Sequence, residues 1–211
     1  QVFMNNINIL VTGGTGFIGS HTCISLLEKG YFITVLDSFY NSNQSVINNM
    51  RKIFSCNPEI FDERFNFYKG DIRDKECLNN IFEHYQLKNN PIQAVIHFAG
   101  LKSVKESIKN PDIYREFNVV GSRNIFNVMK KYNCKNIVFS STAMVYGVSI
   151  NQPLNESSKI NPNNPYGKNK LEVEEILHNY FRTDCNDWKI INLRYFNPIG
   201  AHNSGFIGET P

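Results

Sequence analysis

Four glycines in seven positions, Gly13-Gly14-Thr15-Gly16-Phe17-Ile18-Gly19, separate a short β-branched run at residues 7–12 from an apolar pattern at residues 17–29. The second stretch carries Ile18, Cys23, Ile24 and Leu27 at helical spacing and stops at Gly30. A strand that enters a helix through such a turn leaves backbone N–H groups unscreened at the positive end of the helix dipole. Glycine serves the tight turn and lets a phosphate pair approach the chain. The segment fits both G-x-G-x-x-G (Gly14, Gly16, Gly19) and G-x-x-G-x-x-G (Gly13, Gly16, Gly19). A plain glycine-rich turn reads the same way, so the surroundings must decide.

The surroundings repeat the strand–helix alternation. Apolar runs at residues 32–36, 65–68, 94–97, 136–141 and 189–196 predict strands. Helical patterns occupy residues 46–54, 78–85, 112–132 and 166–181, with Asp74 the expected N-cap of the second. After Pro111, residues 112–132 place Ile113, Phe117, Val120, Ile125, Val128, Met129 and Tyr132 on one broad face, the pattern of a long core-facing helix. Apolar strands alternating with helices predict a parallel sheet covered on both faces. Right-handed crossovers then give an α/β, doubly wound, Rossmann-type sheet, expected over residues 1–196. Residues 197–211 are glycine-rich and contain no element long enough to complete a domain. They are expected to begin a smaller C-terminal substrate domain, most of which is missing.

Composition excludes several classes. Of 211 residues, 41% are hydrophobic, and 22 Lys+Arg stand against 19 Asp+Glu. No apolar run approaches the ~18–20 residues of a membrane span, and residues 1–8 lack the basic-then-apolar order of a signal peptide. The charge of +3 is dispersed without a Lys/Arg block, which disfavours nucleic acid. Five cysteines (Cys23, Cys56, Cys77, Cys134, Cys185) form no C-x-x-C pair. Their odd number and wide spacing argue for packed thiols in a reducing, cytoplasmic setting, and against zinc or disulfides.

Two further features give the glycine loop its meaning. Asp37 closes the second strand 18 residues beyond Gly19, about where a carboxylate meets adenosine ribose hydroxyls. No Arg or Lys follows between Ser38 and Val46 to hold a 2′-phosphate, so NAD is preferred over NADP. A loop-capping Asp is the plainer alternative. Tyr166 and Lys170 stand at i, i+4 on one helix face. A phenol, with an ordinary pKa of about 10, is a poor base at neutral pH. A neighbouring ammonium and an oxidised nicotinamide both favour the phenolate, which can take a proton from a sugar hydroxyl as the adjacent C–H leaves as hydride. The plainer alternative is a solvated face with a snorkelling lysine. Ser140-Ser141-Thr142 ends the fifth strand where ligands bind in such sheets, so Thr142 can share the same hydroxyl.

With these residues in view, the chain resembles the N-terminal part of the UDP-galactose 4-epimerases, extended short-chain dehydrogenases/reductases. The matching segments include Val11–Thr22, Gly70-Asp71-Ile72-Arg73, Phe98-Ala99-Gly100-Leu101-Lys102, FSSTAMVYG at 139–147, Pro165–Lys168 and LRYFNPIGAH at 193–202. The resemblance implies NAD held through turnover, Tyr166 as catalytic base, Lys170 lowering its pKa and holding the nicotinamide ribose, and Thr142 assisting. It implies NAD contacts from Gly13, Gly16, Phe17, Ile18, Gly19, Asp37, Asn41, Ser42, Asp71, Ile72, Phe98, Ala99, Gly100, Lys102, Asn118, Thr142, Tyr166, Lys170 and Phe196. Lys102, Thr142, Tyr166 and Asn197 are expected to meet a UDP-hexose, whose C4 inverts through a 4-keto sugar. The family's use of two long helices as a dimer interface makes residues 112–132 and 166–181 candidates for a homodimer contact.

Thr142 departs from the serine frequent in the family but keeps the hydroxyl. A sister 4,6-dehydratase would place Asp-Glu after Thr142, and a decarboxylase Glu at 144; Ala143 and Met144 stand there instead. A non-catalytic NAD sensor on the same sheet typically loses the Tyr–Lys pair, which this chain keeps. His97 and Asp71 show no metal-ligand spacing, and His97 reads as a satisfied strand-end histidine.

Overall fold

Asn8–Thr12 (β1) is buried at every position, because it lies at the centre of a sheet between Phe32–Asp37 (β2) and Ile92–His97 (β4). The computed structural model describes residues 6–148, 152–183 and 187–209; Cys185 lies outside them. Phe65–Lys69 (β3), Asn136–Thr142 (β5) and Lys189–Tyr195 (β6) complete the order β3-β2-β1-β4-β5-β6, parallel throughout. The chain leaves β1 first to one side and then to the other. The crevice this opens beyond the carboxyl ends of β1 and β4 is where such sheets bind ligands.

Alternation along β1 assigns the two cores. Ile9 and Val11 face Phe17–Glu28 (α1), Ser45–Ile53 (α2) and Pro58–Arg64 (α3), packing with Cys23, Leu27, Met50 and Phe61. Leu10 faces the other side, with Phe82 of Lys75–Leu87 (α4), Phe126 of Gly121–Lys131 (α7), and Val173 and Leu177 of Pro165–Thr183 (α8). Each such buried side chain contributes about 1.5–3 kcal/mol of transfer free energy. Asp74 caps α4 as expected, its carboxylate accepting from the Glu76 and Cys77 N–H groups at 2.9 and 3.0 Å.

The departures have local causes. Pro58 reads as a helix breaker, yet it opens α3, since proline lacks only the N–H that a first helical residue leaves unpaired. Val104–Lys109 (α5) is too short and polar to show periodicity; the Ser103 side chain caps it. The helix expected over 112–132 is three pieces: Pro111–Arg115 (α6), a π-turn at Glu116–Val120, and α7. The sheet is also not covered throughout. Edge strand β6 leaves Ile191 56% exposed and Leu193 37% exposed.

Candidate active site

The glycine turn is packed to the limit of backbone contact. A Cβ on Gly13, which holds φ +71°, would lie 2.6 Å from the Ala99 nitrogen. One on Gly19 would lie 2.2 Å from the Gly13 carbonyl oxygen. Gly16 caps α1 with no side chain, and no carboxylate stands in the first turn, so this helix end is open to an anion. Asp37 is buried beside it and accepts from the Thr15 N–H (3.1 Å), the Phe39 N–H (3.0 Å) and the Ser42 hydroxyl (3.3 Å). It therefore caps the loop, the plainer of its two sequence readings, and also lines the cleft.

The floor is the turn Phe98–Leu101, held from beneath. Asn118 sits in the π-turn, 2% exposed; its Oδ1 accepts from the Leu101 N–H (2.7 Å) and its Nδ2 donates to the Leu101 carbonyl (3.0 Å). Inserting one residue per turn is what aims this amide at the loop. A hydrogen-bond relay reaches the same place from β1. Ser122 donates to the Asn118 carbonyl (2.5 Å), so its oxygen accepts from His97 Nε2 (2.8 Å), leaving Nδ1 to accept from the Thr12 hydroxyl (2.7 Å). Burial, and secondarily the Lys170 charge, push His97 down to about 3, so the imidazole is neutral and its tautomer fixed.

The chemical end lies where β5 finishes. Tyr166 and Lys170 share the face of α8 turned to Ser140, Ser141 and Thr142. The Lys170 ammonium donates to the Ser140 carbonyl at 2.9 Å and lies 6.0 Å from the Tyr166 ring centroid. Burial lowers Lys170 to about 8, so it remains mostly charged at pH 7. Burial pushes the Tyr166 phenol above its ordinary value, and the nearby Thr142 side chain partly offsets this. In the chain by itself desolvation thus dominates the phenol, with the Lys170 ammonium held to one side on the Ser140 carbonyl.

One open cleft of about 1610 Å³ joins the two ends. Every expected site residue lines it except Asn118, which lies under the floor and acts through Leu101. Lys102 reaches Glu209 at 2.9 Å on the exposed rim. Asp71 lines the cleft while forked to Arg73; burial alone would raise its carboxyl, but the Arg73 hydrogen bonds and charge outweigh this and hold it low. Among the described residues, no cluster of three His, Cys, Asp or Glu side chains is placed to hold a metal. No described helix is long and apolar enough to cross a membrane.

Residues 10–210 match the family model described as GDP-mannose 4,6 dehydratase. The chain belongs to this family. Within it, the chain is 47% identical over 204 residues to UDP-glucose 4-epimerase 2 of Arabidopsis thaliana, covering 97% of this chain and 55% of that protein. It is 46% identical to UDP-glucose 4-epimerase of Bacillus subtilis, covering 96% and 56%. Among solved structures, the Bifidobacterium longum UDP-glucose 4-epimerase in complex with NAD⁺ and UDP superposes with a TM-score of 0.86 at 41% identity, over 97% of this chain and 57% of that one. The Stenotrophomonas maltophila UDP-glucose 4-epimerase, with bound NAD and formylated UDP-arabinopyranose, gives 0.87 at 39%, over 97% and 57%. The chain thus spans a little over half the length of the relatives it matches.

Some members of this constellation were not visible as functional residues in the sequence. Glu174, Arg194 and Tyr146 join behind Tyr166 and Lys170: Arg194 forks onto Glu174 at 3.0 and 2.6 Å and reaches the Tyr146 hydroxyl at 2.9 Å. The only trace was spacing, since Glu174 follows Lys170 by one helical turn.

Proposed function

We propose that this chain is the NAD-binding and proton-transferring part of a UDP-glucose/UDP-galactose 4-epimerase, with residues 1–196 as the dinucleotide domain and 197–211 as the start of the substrate region. The observation that carries the reading is that one cleft is lined at one end by the glycine turn and Asp37 and at the other by Thr142, Tyr166 and the buried Lys170. The cradle suits a dinucleotide: Cβ atoms would fill it at Gly13 and Gly19, and the bare α1 terminus favours a pyrophosphate. Asp37 has carboxylate capacity left for ribose hydroxyls, and its charge disfavours a 2′-phosphate. Gly13, Gly16, Phe17, Ile18 and Gly19 would hold the pyrophosphate, Asp37, Asn41 and Ser42 the adenosine ribose, and Lys170 the nicotinamide ribose.

NAD, when bound, supplies a two-electron acceptor and donor for the sugar's C4–H bond and a positive charge that favours the phenolate. Tyr166 takes the C4 hydroxyl proton, Thr142 orients that hydroxyl, and the buried Lys170 charge supports the phenolate across the ring. Tyr166 then returns the proton after the sugar presents its opposite face. Elimination, the alternative in this family, needs an extra acid and base beside Thr142. Ala143 is buried there, and Met144 is a thioether on the cleft wall. A homodimer in the cytoplasm fits the relatives' activity and the cysteine use. The test is to incubate the full-length protein with UDP-galactose and no added nicotinamide. UDP-glucose should form; an accumulating keto-deoxy sugar would indicate elimination, and retained NAD without turnover would indicate a sensor.

A further inference from the structure

Three consecutive residues of β5 meet three successive turns of α8. The Ser140 carbonyl accepts from Lys170, the Ser141 hydroxyl donates to Glu174, and Thr142 lines the same cleft as Tyr166. Tyr166, Lys170 and Glu174 are spaced by four residues, so they form one stripe, and only the third has no part in the chemistry proposed above. Its carboxylate is 7% exposed and carries a planar fork from Arg194, 19% exposed, whose cross-strand partner in the sheet is Ser141 itself. The guanidinium continues to the Tyr146 hydroxyl, in the single turn Ala143–Tyr146 that follows Thr142. One carboxylate, with its guanidinium, therefore ties together the helix bearing the phenol, the strand bearing Thr142, the next strand, and the turn beyond. Stability alone is a weak reason for such a pair, because desolvation offsets most of the Coulomb attraction. Geometry is the stronger reason: Val173 and Leu177 pack α8 into the core without direction, whereas the bonds from Ser141 and Arg194 to Glu174 fix where α8 sits along β5, and with it the place of Tyr166.

We propose that Glu174, with Arg194, is a positioning residue for the reaction: the ion pair sets the register of α8 on β5 and so holds Tyr166 beside Thr142 on the cleft wall. This rests on the proposed role of Tyr166. Displacement of a reacting group by about 1 Å costs on the order of 100-fold, which sets the scale of the expected loss.

The test uses the full-length, NAD-loaded protein and three variants, Glu174→Gln, Glu174→Gln/Arg194→Met, and Ser141→Ala, the last being a small truncation that leaves the ion pair whole. In each, kcat for UDP-galactose should fall, about 10- to 100-fold for the first two and less for Ser141→Ala, with KM and bound NAD unchanged. The ionisation of Tyr166 is read without substrate, from the tyrosinate absorbance of each protein minus that of its Tyr166→Phe counterpart. Moving Tyr166 away from the Thr142 hydroxyl should move it upward. Removing a negative charge from Glu174 would by itself move it downward, and the double variant, which removes both charges, isolates the positional effect. An upward shift there with reduced kcat supports the clamp. An unchanged or lowered value, with only the melting temperature affected, overturns it. If wild-type protein shows the Tyr166 titration but does not interconvert the sugars, the epimerase reading fails while the clamp is still judged by the titration.

Discussion

At the β1–α1 end of the cleft the chain works by omission: Gly13, Gly16 and Gly19 leave backbone exposed where a side chain would collide. At the β5–α8 end it buries charge: Lys170, Glu174 and Arg194 lie behind a neutral phenol. The first end is steric and sensitive to a single methyl group. The second is electrostatic and sensitive to the pairing of charges in a poorly solvated place. Sequence letters report the first kind of site directly, since glycine has few other reasons to recur at that spacing. They report the second only in part, because a buried and a solvated Glu are the same letter.

The contrast is broken most severely at the chemical end. Tyr166→Phe in the full-length protein should retain NAD and lose sugar interconversion by on the order of 10²–10⁴-fold, measured with UDP-galactose at saturation. The mirror experiment is Gly19→Ala, whose methyl group meets the Gly13 oxygen. It should cost about 3 kcal/mol or more in chemical unfolding and yield protein without bound NAD. If Gly19→Ala keeps NAD and Tyr166→Phe loses it, the roles of the two ends are reversed.

Acid sharpens the comparison. His97 takes its proton at about 3 in the folded protein and at about 6.5 unfolded, so the unfolded chain binds the extra proton between those values. Stability is full above pH 6.5 and falls as pH drops toward 3, by at most about 1.4 kcal/mol per unit. His97→Gln should flatten that acid limb in urea titrations. Lys170→Met probes alkali. The folded ammonium, at about 8 against 10.5 ordinarily, is disfavoured, so wild-type stability rises as pH climbs through that window. The variant should be about 1 kcal/mol more stable at pH 7, a gain that fades above pH 8, while turnover collapses. The smallest effect belongs to the surface. Glu172→Gln removes exposed bridges to Arg115 and Arg123 and should cost less than about 1 kcal/mol in the same titrations.

The same division explains what the sequence made legible. Buried strands, the Asp74 cap and the glycine turn each follow from local rules, and the parallel, doubly wound sheet follows from the alternation of strands with helices. Pro58 and residues 104–109 were lost because short helices are set by caps, not by periodicity. The π-turn was hidden because its apolar face is continuous with that of its neighbours, although Asn118 marked the place where something polar had to be held. Asn118, expected among the dinucleotide contacts, grips the loop that lines the cleft. Glu174 was missed because its partners come from β5 and β6, 33 and 20 residues away, and no local pattern encodes such a meeting.

The most direct measurement follows a label through the full-length protein: UDP-galactose carrying deuterium at C4, with no added nicotinamide. Inversion through a ketone that stays bound, with hydride held on a retained dinucleotide, should deliver UDP-glucose with deuterium still at C4 and none in solvent. Deuterium at C6, or washed into water, would contradict an inversion carried by Tyr166 and a retained dinucleotide.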